Sequence, residues 1–255
     1  MTYKKAERLL TVADLSLSYG SKVILRDINL QVDNIVRPNM EQGQVVALLG
    51  PSGCGKTQLL RCLAGLQRPT SGQVFLNGSM QPVKAGDVGL VFQSYPLMMH
   101  RTIRSNLNLA ARKLANKELL DIYVSKFNLA DKLDLYPAQL SGGQRQRIAI
   151  IQQLLCSSHF VLLDEPTSGL DVKMQAAVIK LLLELSSINE LNTFVITTHS
   201  ISTAVRLADT VWLLGMEDGK QGSTVIKHFD LIERGLAWNP DVANHPNFNS
   251  TIREI

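Results

Sequence analysis

The sequence contains no apolar run approaching the roughly 20 residues that a membrane-spanning helix needs. Its most apolar stretches, such as Val45–Leu49 and Phe160–Leu163, have the length of strands, and the longer Val178–Leu185 carries Lys180 and Glu184. Cysteine is scarce. Cys54, Cys62 and Cys156 form no CxxC pair and no framework, which excludes a disulfide scaffold and fits a reducing cytosol. The first ten residues carry Lys4, Lys5, Glu7 and Arg8 and lack an apolar signal core, so no export signal is expected. Repeats and low-complexity tracts are also missing. Charge of one sign is not abundant either: 26 Lys+Arg stand against 22 Asp+Glu, a net charge of +4. That excess is too small to imply a nucleic-acid partner.

What is present is 255 residues with 45% apolar and 19% charged side chains, the composition of an ordinary folded domain with enough chain for a buried core. Loose alternation over Arg8–Tyr19 and the stretch Val23–Val32 predict two strands, with Gly20-Ser21 as a turn. Asn34–Gly43, polar and holding Pro38 and Gly43, reads as a loop. Gln44–Leu49, Val88–Phe92, Phe160–Leu163, Thr193–Thr197 and Thr210–Leu214 read as buried strands, with a shorter strand at Gln73–Leu76. Helices are expected over about 56–66, 172–187 and 201–208, and the alternation argues for a parallel sheet covered on both faces. Between them, 103–114, 117–129 and 143–155 show helical periodicity and read as an inserted helical subdomain. From Asp230 onward a short helix and an irregular tail are expected, with Trp238 and Phe248 docking the tail on the domain.

Gly50-Pro51-Ser52-Gly53-Cys54-Gly55-Lys56-Thr57 fits G-x-x-x-x-G-K-[ST], after a buried strand and before a helix. Its glycines let backbone amides curl around phosphate oxygens, and the helix N-terminus adds partial positive charge. Lys56 is expected at the β/γ phosphates and the Thr57 hydroxyl on Mg²⁺, with Gln58 following. The motif alone does not tell ATP from GTP. Cys54 lies inside the loop, where a helix N-terminus can lower a thiol pKa; a small filler role is favoured over a redox one. The strand Phe160–Leu163 ends in Asp164-Glu165, at the sheet edge where ligands of open α/β sheets sit. Asp164 is placed to hold Mg²⁺ and Glu165 to orient or deprotonate an attacking water.

Leu140-Ser141-Gly142-Gly143-Gln144 precedes a helix that Ser141 can cap, and its two glycines leave amides open to an anion. Taken with the phosphate loop, Gln93, Ser168-Gly169-Leu170-Asp171 and His199, the chain resembles an ATP-binding cassette ATPase, the nucleotide-binding subunit of ABC transporters, over about residues 8–230. The resemblance implies an α/β P-loop NTPase (RecA-like) core at about 8–93 and 158–230. It also implies an N-terminal antiparallel β subdomain, an inserted α-helical subdomain at about 94–157, and a tail at about 231–255.

The same resemblance implies a head-to-tail homodimer in the ATP-bound state. Each phosphate loop would face the partner's Ser141, Gly142, Gly143 and Gln144. Tyr19 matches the residue that stacks on adenine. Gln93 matches the loop that senses Mg²⁺ and water and couples to the membrane subunit. His199 matches the switch histidine that contacts γ-phosphate and orients Glu165, and Asp171 matches a residue that communicates between the two sites. Departures from the family pattern are Ser200 where Asp is frequent, Gln152-Gln153 behind the signature, Gln58, and the longer Asn34–Gly43 segment.

The expected function is ATP hydrolysis driving transport through separate transmembrane permease subunits, at the cytoplasmic face of the inner membrane. Gln93-Ser94-Tyr95-Pro96-Leu97 and His100-Arg101-Thr102-Ile103 are similar to the corresponding segment of bacterial uptake ATPases, which favours import of a small solute and a periplasmic substrate-binding protein. An exporter or lipid-transport subunit is the alternative. A soluble cassette acting on chromosomes is disfavoured because 57–140 holds no sustained heptad, and a ribosomal one because there is a single cassette. A non-hydrolysing ATP clamp is disfavoured by Glu165 and His199.

Overall fold

The computed structural model describes residues 3–37, 42–92, 97–113, 118–156, 159–239 and 241–255. A hairpin of β1 (Lys4–Tyr19) and β2 (Lys22–Val36) opens the chain, followed by β3 (Gln44–Leu49), α1 (Lys56–Leu63), β4 (Ser71–Leu76) and β5 (Gly89–Val91). Three helices come next: α2 (Ile103–Ala110), α3 (Glu118–Lys126) and α4 (Gly142–Cys156). The remainder is β6 (Phe160–Leu163), α5 (Val172–Ser186), β7 (Thr193–Thr198), α6 (Ile201–Leu207), β8 (Thr210–Met216), β9 (Ser223–Asp230) and α7 (Pro246–Glu254).

The strands form one sheet in the order β4-β1-β2-β9-β8-β3-β7-β6-β5. The β5–β6–β7–β3–β8 stretch is parallel, whereas β1 pairs antiparallel with β2 and β4, and β8 with β9. Every residue of β3, β6 and β7 is buried, as an apolar run in a covered parallel sheet requires. Side chains alternate between faces. Val45, Ala47 and Leu49 join one apolar cluster with α2–α7, while Val46 and Leu48 join a second with α1, β1 and β2. The strand that carries the phosphate loop is thereby clamped on both faces. Among the described residues no helix is long and apolar enough to cross a membrane.

Several expected boundaries shift, for local reasons. Asn34 and Ile35, read as loop, belong to β2: Ile35 pairs with Lys5, and Asn34 donates to Glu7. The polarity that suggested a loop is satisfied across the hairpin; residues 38–41 of that segment lie outside the described residues. β1 accordingly starts at Lys4 rather than Arg8. The strand β9 escaped the sequence reading because its middle, Ile226-Lys227-His228, is exposed. α3 stops at Lys126, and Asn128 takes a left-handed φ of 50° in the turn beyond it, a common way to end a helix. Gln153, a departure from the family pattern, accepts from the Leu90 amide and so ties α4 to β5.

The tail docks as its aromatics suggested. Phe248 is buried, α7 packs on α6, and the Arg37 guanidinium lies 3.9 Å from the centre of the Trp238 ring. Beneath that stack Asp209 is buried; its Oδ2 accepts from the Val45 amide at 2.7 Å and lies 3.6 Å from Arg37. Burial pushes its carboxyl up to about 7, against the opposing pull of Arg37 and the Val45 amide.

Candidate functional site

A cleft of about 370 Å³ opens at the C-terminal ends of β3 and β6, lined among others by Tyr19, Ser52, Lys56, Thr57, Asp164 and Glu165. Its floor is the turn between β3 and α1. Gly55 caps α1 from a left-handed conformation, φ 95°, and a Cβ there would press on Leu25. At Gly50 a Cβ would stand 2.5 Å from the Leu214 carbonyl oxygen and 2.8 Å from Cys54 Sγ. Glycine at these two places is therefore a steric requirement of the turn, independent of any ligand.

Lys56 is nearly enclosed, with 6% of its side chain exposed. Its Nζ donates to the carbonyls of Gly50 and Pro51 at 2.9 and 3.0 Å, and lies 3.5 Å from Glu165 Oε1. Thr57 Oγ1 donates to Asp164 Oδ2 at 2.8 Å, joining the loop to the end of β6. The other Asp164 oxygen accepts from Thr197 Oγ1, also at 2.8 Å. Glu165 has a left-handed φ of 46°. Its Oε2 stands 3.0 Å from His199 Nδ1, so one carboxylate faces an ammonium and an imidazole at once.

Tyr19, 47% exposed, stands at the cleft mouth and donates to Gln58 Oε1 at 3.0 Å. That leaves a ring free to stack on a flat ligand. Ser52, Gly53, Gly55 and Gln58 also line the cleft. Cys54 faces inward beneath the loop. Burial pushes its thiol up and outweighs the opposing effect of Lys56, so its setting is that of a filler rather than of a reactive thiolate.

Other expected residues are not gathered here. Ser141, Gly142, Gly143 and Gln144 do not line the cleft. They form a reciprocal cap at the start of α4: Ser141 Oγ accepts from the Gln144 amide at 3.3 Å, and Gln144 Oε1 from the Ser141 amide at 2.9 Å. No atom approaches a hypothetical Cβ on Gly142 within 4 Å, whereas one on Gly143 would stand 3.0 Å from Met174 Cε, so the turn is open at Gly142 and covered by Met174 at Gly143. Asp171 caps α5 through the Met174 amide at 2.9 Å. Gln93 lies outside the described residues. Thr197 and Ile24 are site residues that sequence reasoning missed, since a threonine or isoleucine in a strand carries no signal of its own.

The oxygen pair of Thr57 and Asp164 is a hard donor set of the kind Mg²⁺ accepts. Among the described residues no group of three or more His, Cys, Asp or Glu could hold a metal. The set present therefore fits a metal that arrives with phosphate oxygens, not one held in a protein cage.

The family model described as ABC transporter matches residues 34–168. The chain is 38% identical over 221 residues to the L-cystine import ATP-binding protein TcyC of Bacillus subtilis (strain 168), covering 80% of this chain and 85% of that protein. Among solved structures it is similar to cbiO1 from Clostridium perfringens, part of the ABC transporter complex cbiONQ, with TM-score 0.72, 25% identity, and 90% and 91% of the two chains covered. It is also similar to the ATP-binding cassette MJ0796 in a dimeric post-hydrolysis state bound to ADP and Pi, with TM-score 0.65, 26% identity, and coverage of 88% and 99%.

Proposed function

The chain belongs to the ABC transporter family as an ATP-binding, ATP-hydrolysing subunit, and we propose that it powers import of a small solute through separate transmembrane chains. The observation that carries this reading is the convergence of Lys56, Thr57, Asp164 and Glu165 on one cleft, with His199 set against Glu165. In the proposed cycle the amides of the Ser52–Thr57 turn and the Lys56 ammonium bind the phosphates of ATP, and Tyr19 stacks on the adenine. Thr57 and Asp164 would hold Mg²⁺, which when bound would supply positive charge to offset that of the phosphates. Glu165 accepts a proton from the attacking water, and His199 holds that carboxylate toward the γ-phosphate. Gln93 is assigned to sensing this state and Asp171 to communication with the second site.

The turn at Ser141, Gly142, Gly143 and Gln144, open at Gly142, is assigned to the ATP of a second copy, in a dimer formed when ATP is bound. That none of the four lines this chain's own cleft supports that assignment, as does the dimeric state of the similar cassette. The import direction is supported by the kind of relative the chain matches. We further propose a periplasmic substrate-binding protein as a component of the system, and peripheral attachment at the cytoplasmic membrane face. The test is purification from native membranes with ATPase assay of the complex. Co-purifying membrane permease chains and ATP turnover are expected; recovery of the chain with no membrane protein would overturn the transport role.

A further inference from the structure

We propose that Thr197 is a positioning residue for ATP hydrolysis, whose single hydroxyl sets the geometry of both acidic residues at the end of β6. Thr197 is fully buried in β7, just beyond the Leu163–Ile196 pair that ends the β6–β7 ladder. Its Oγ1 donates to Asp164 Oδ1 at 2.8 Å and accepts from the Glu165 amide at 2.8 Å. A hydroxyl has one proton to give. With that proton on the carboxylate, a lone pair is left for the amide, so the two bonds fix each other's direction.

Each bond has a separate consequence. The first pins one oxygen of Asp164 and leaves Oδ2 toward Thr57, the face assigned to the metal. The second restrains Glu165 in its left-handed φ of 46°. Such a conformation is disfavoured for a side chain with a Cβ and persists only where surroundings over-determine it. This backbone turn aims the Glu165 carboxylate at Lys56 and His199 instead of letting it continue the strand. Valine would fill the same space and suits a strand equally well. It would nevertheless leave the Glu165 amide and Asp164 Oδ1 without Thr197 as partner, and the two carboxylates would lose their shared reference point.

The inference rests on the reading of Asp164 and Glu165 given above. It is tested on the full-length chain with Thr197→Val and Thr197→Ser. For Thr197→Val, kcat for ATP is expected to fall about ten-fold, equivalent to about 1.4 kcal/mol, with KM for ATP changed less than about two-fold. Amide hydrogen exchange at Glu165, read without nucleotide, is expected to accelerate about ten-fold. Thr197→Ser, which keeps the hydroxyl, is expected to restore both readouts to near the parent values. An unchanged kcat in folded Thr197→Val, or a serine variant as slow as the valine one, would overturn the inference. Should Thr197→Val fail to fold, Thr197→Ser and Thr197→Ala are compared, and equal kcat and exchange in that pair would overturn it equally. Glu165→Gln is assayed alongside. If Glu165→Gln keeps turnover, the reading of the site is wrong; if it is inactive and Thr197→Val is normal, only the role of Thr197 is.

Discussion

Glu165 Oε2 lies 3.0 Å from His199 Nδ1 while its other oxygen lies 3.5 Å from Lys56 Nζ. One carboxylate thus joins the phosphate loop to the end of β7, and removing its charge should disturb chemistry far more than binding. Glu165→Gln preserves size and one acceptor oxygen. It is expected to lower kcat at least roughly 10²-fold, the lower bound for loss of a general base. ATP binding should persist, and gel filtration with ATP should show a dimer accumulating. Wild-type turnover in this variant would refute the assignment of the base.

Lys56 fills a buried position between two carbonyls of its own loop. Lys56→Ala removes the ammonium donor from both carbonyls and the charge that would meet phosphate. A charged hydrogen bond contributes about 1.5–3 kcal/mol, so ATP affinity is expected to fall roughly 10–100-fold. Titration with a fluorescent ATP analogue measures it, and an unchanged Kd would contradict the phosphate role.

The three thiols differ in environment. Cys156 is exposed, whereas Cys54 and Cys62 are buried. Burial pushes Cys54 upward and Cys62 up to about 12. Since the thiolate is the reactive form, iodoacetamide near neutral pH is expected to modify Cys156 at least about ten-fold faster than either. Peptide mass spectrometry resolves the order, and early modification of Cys54 would show the loop to be open.

Asp209 should leave a mark on stability. Its folded-state pKa of about 7 stands above the ordinary 3.8, so between those values the folded protein holds a proton that the unfolded chain releases. The stabilisation from this group is complete below about pH 4 and is lost as pH rises toward 7. Asp209→Asn keeps an acceptor for the Val45 amide but cannot titrate. Urea unfolding at pH 5 and pH 7.5 is expected to show a larger drop in wild type than in the variant. Equal drops would mean that Asp209 keeps its charge throughout.

Phe248 holds the tail helix against α6, with the Arg206 guanidinium 6.0 Å from its ring centre. Phe248→Ala removes a buried ring whose deletion costs about 3–5 kcal/mol in a core. A terminal helix can open locally, so faster proteolysis between 231 and 245 is expected, with less effect on the global transition. Unaltered protection would place the anchor elsewhere, at the Arg37–Trp238 stack.

The phosphate loop could be read from the chain because all its parts are neighbours: a buried strand, spaced glycines and the first turn of α1 lie within 44–63. The strand ending in Asp164-Glu165 was legible for the same reason. β9 was not, since its exposed middle, Ile226-Lys227-His228, breaks the apolar run that marks a buried strand. The polar stretch at Asn34 misled because its partner, Glu7, belongs to the other arm of the hairpin.

By itself the sequence determined the local devices: which backbone turns cradle an anion, which strands are covered on both faces, and which residues bear the charge. Only the tertiary structure decided what those charges face. Thr197 meets Asp164 from 33 positions away, and Asp209 meets Val45 from 164. A hydroxyl or a carboxyl has no preference for partners at such distances until the sheet order brings two strand ends side by side. Strand order is a property of how the whole chain buries its apolar faces, which no local spacing encodes.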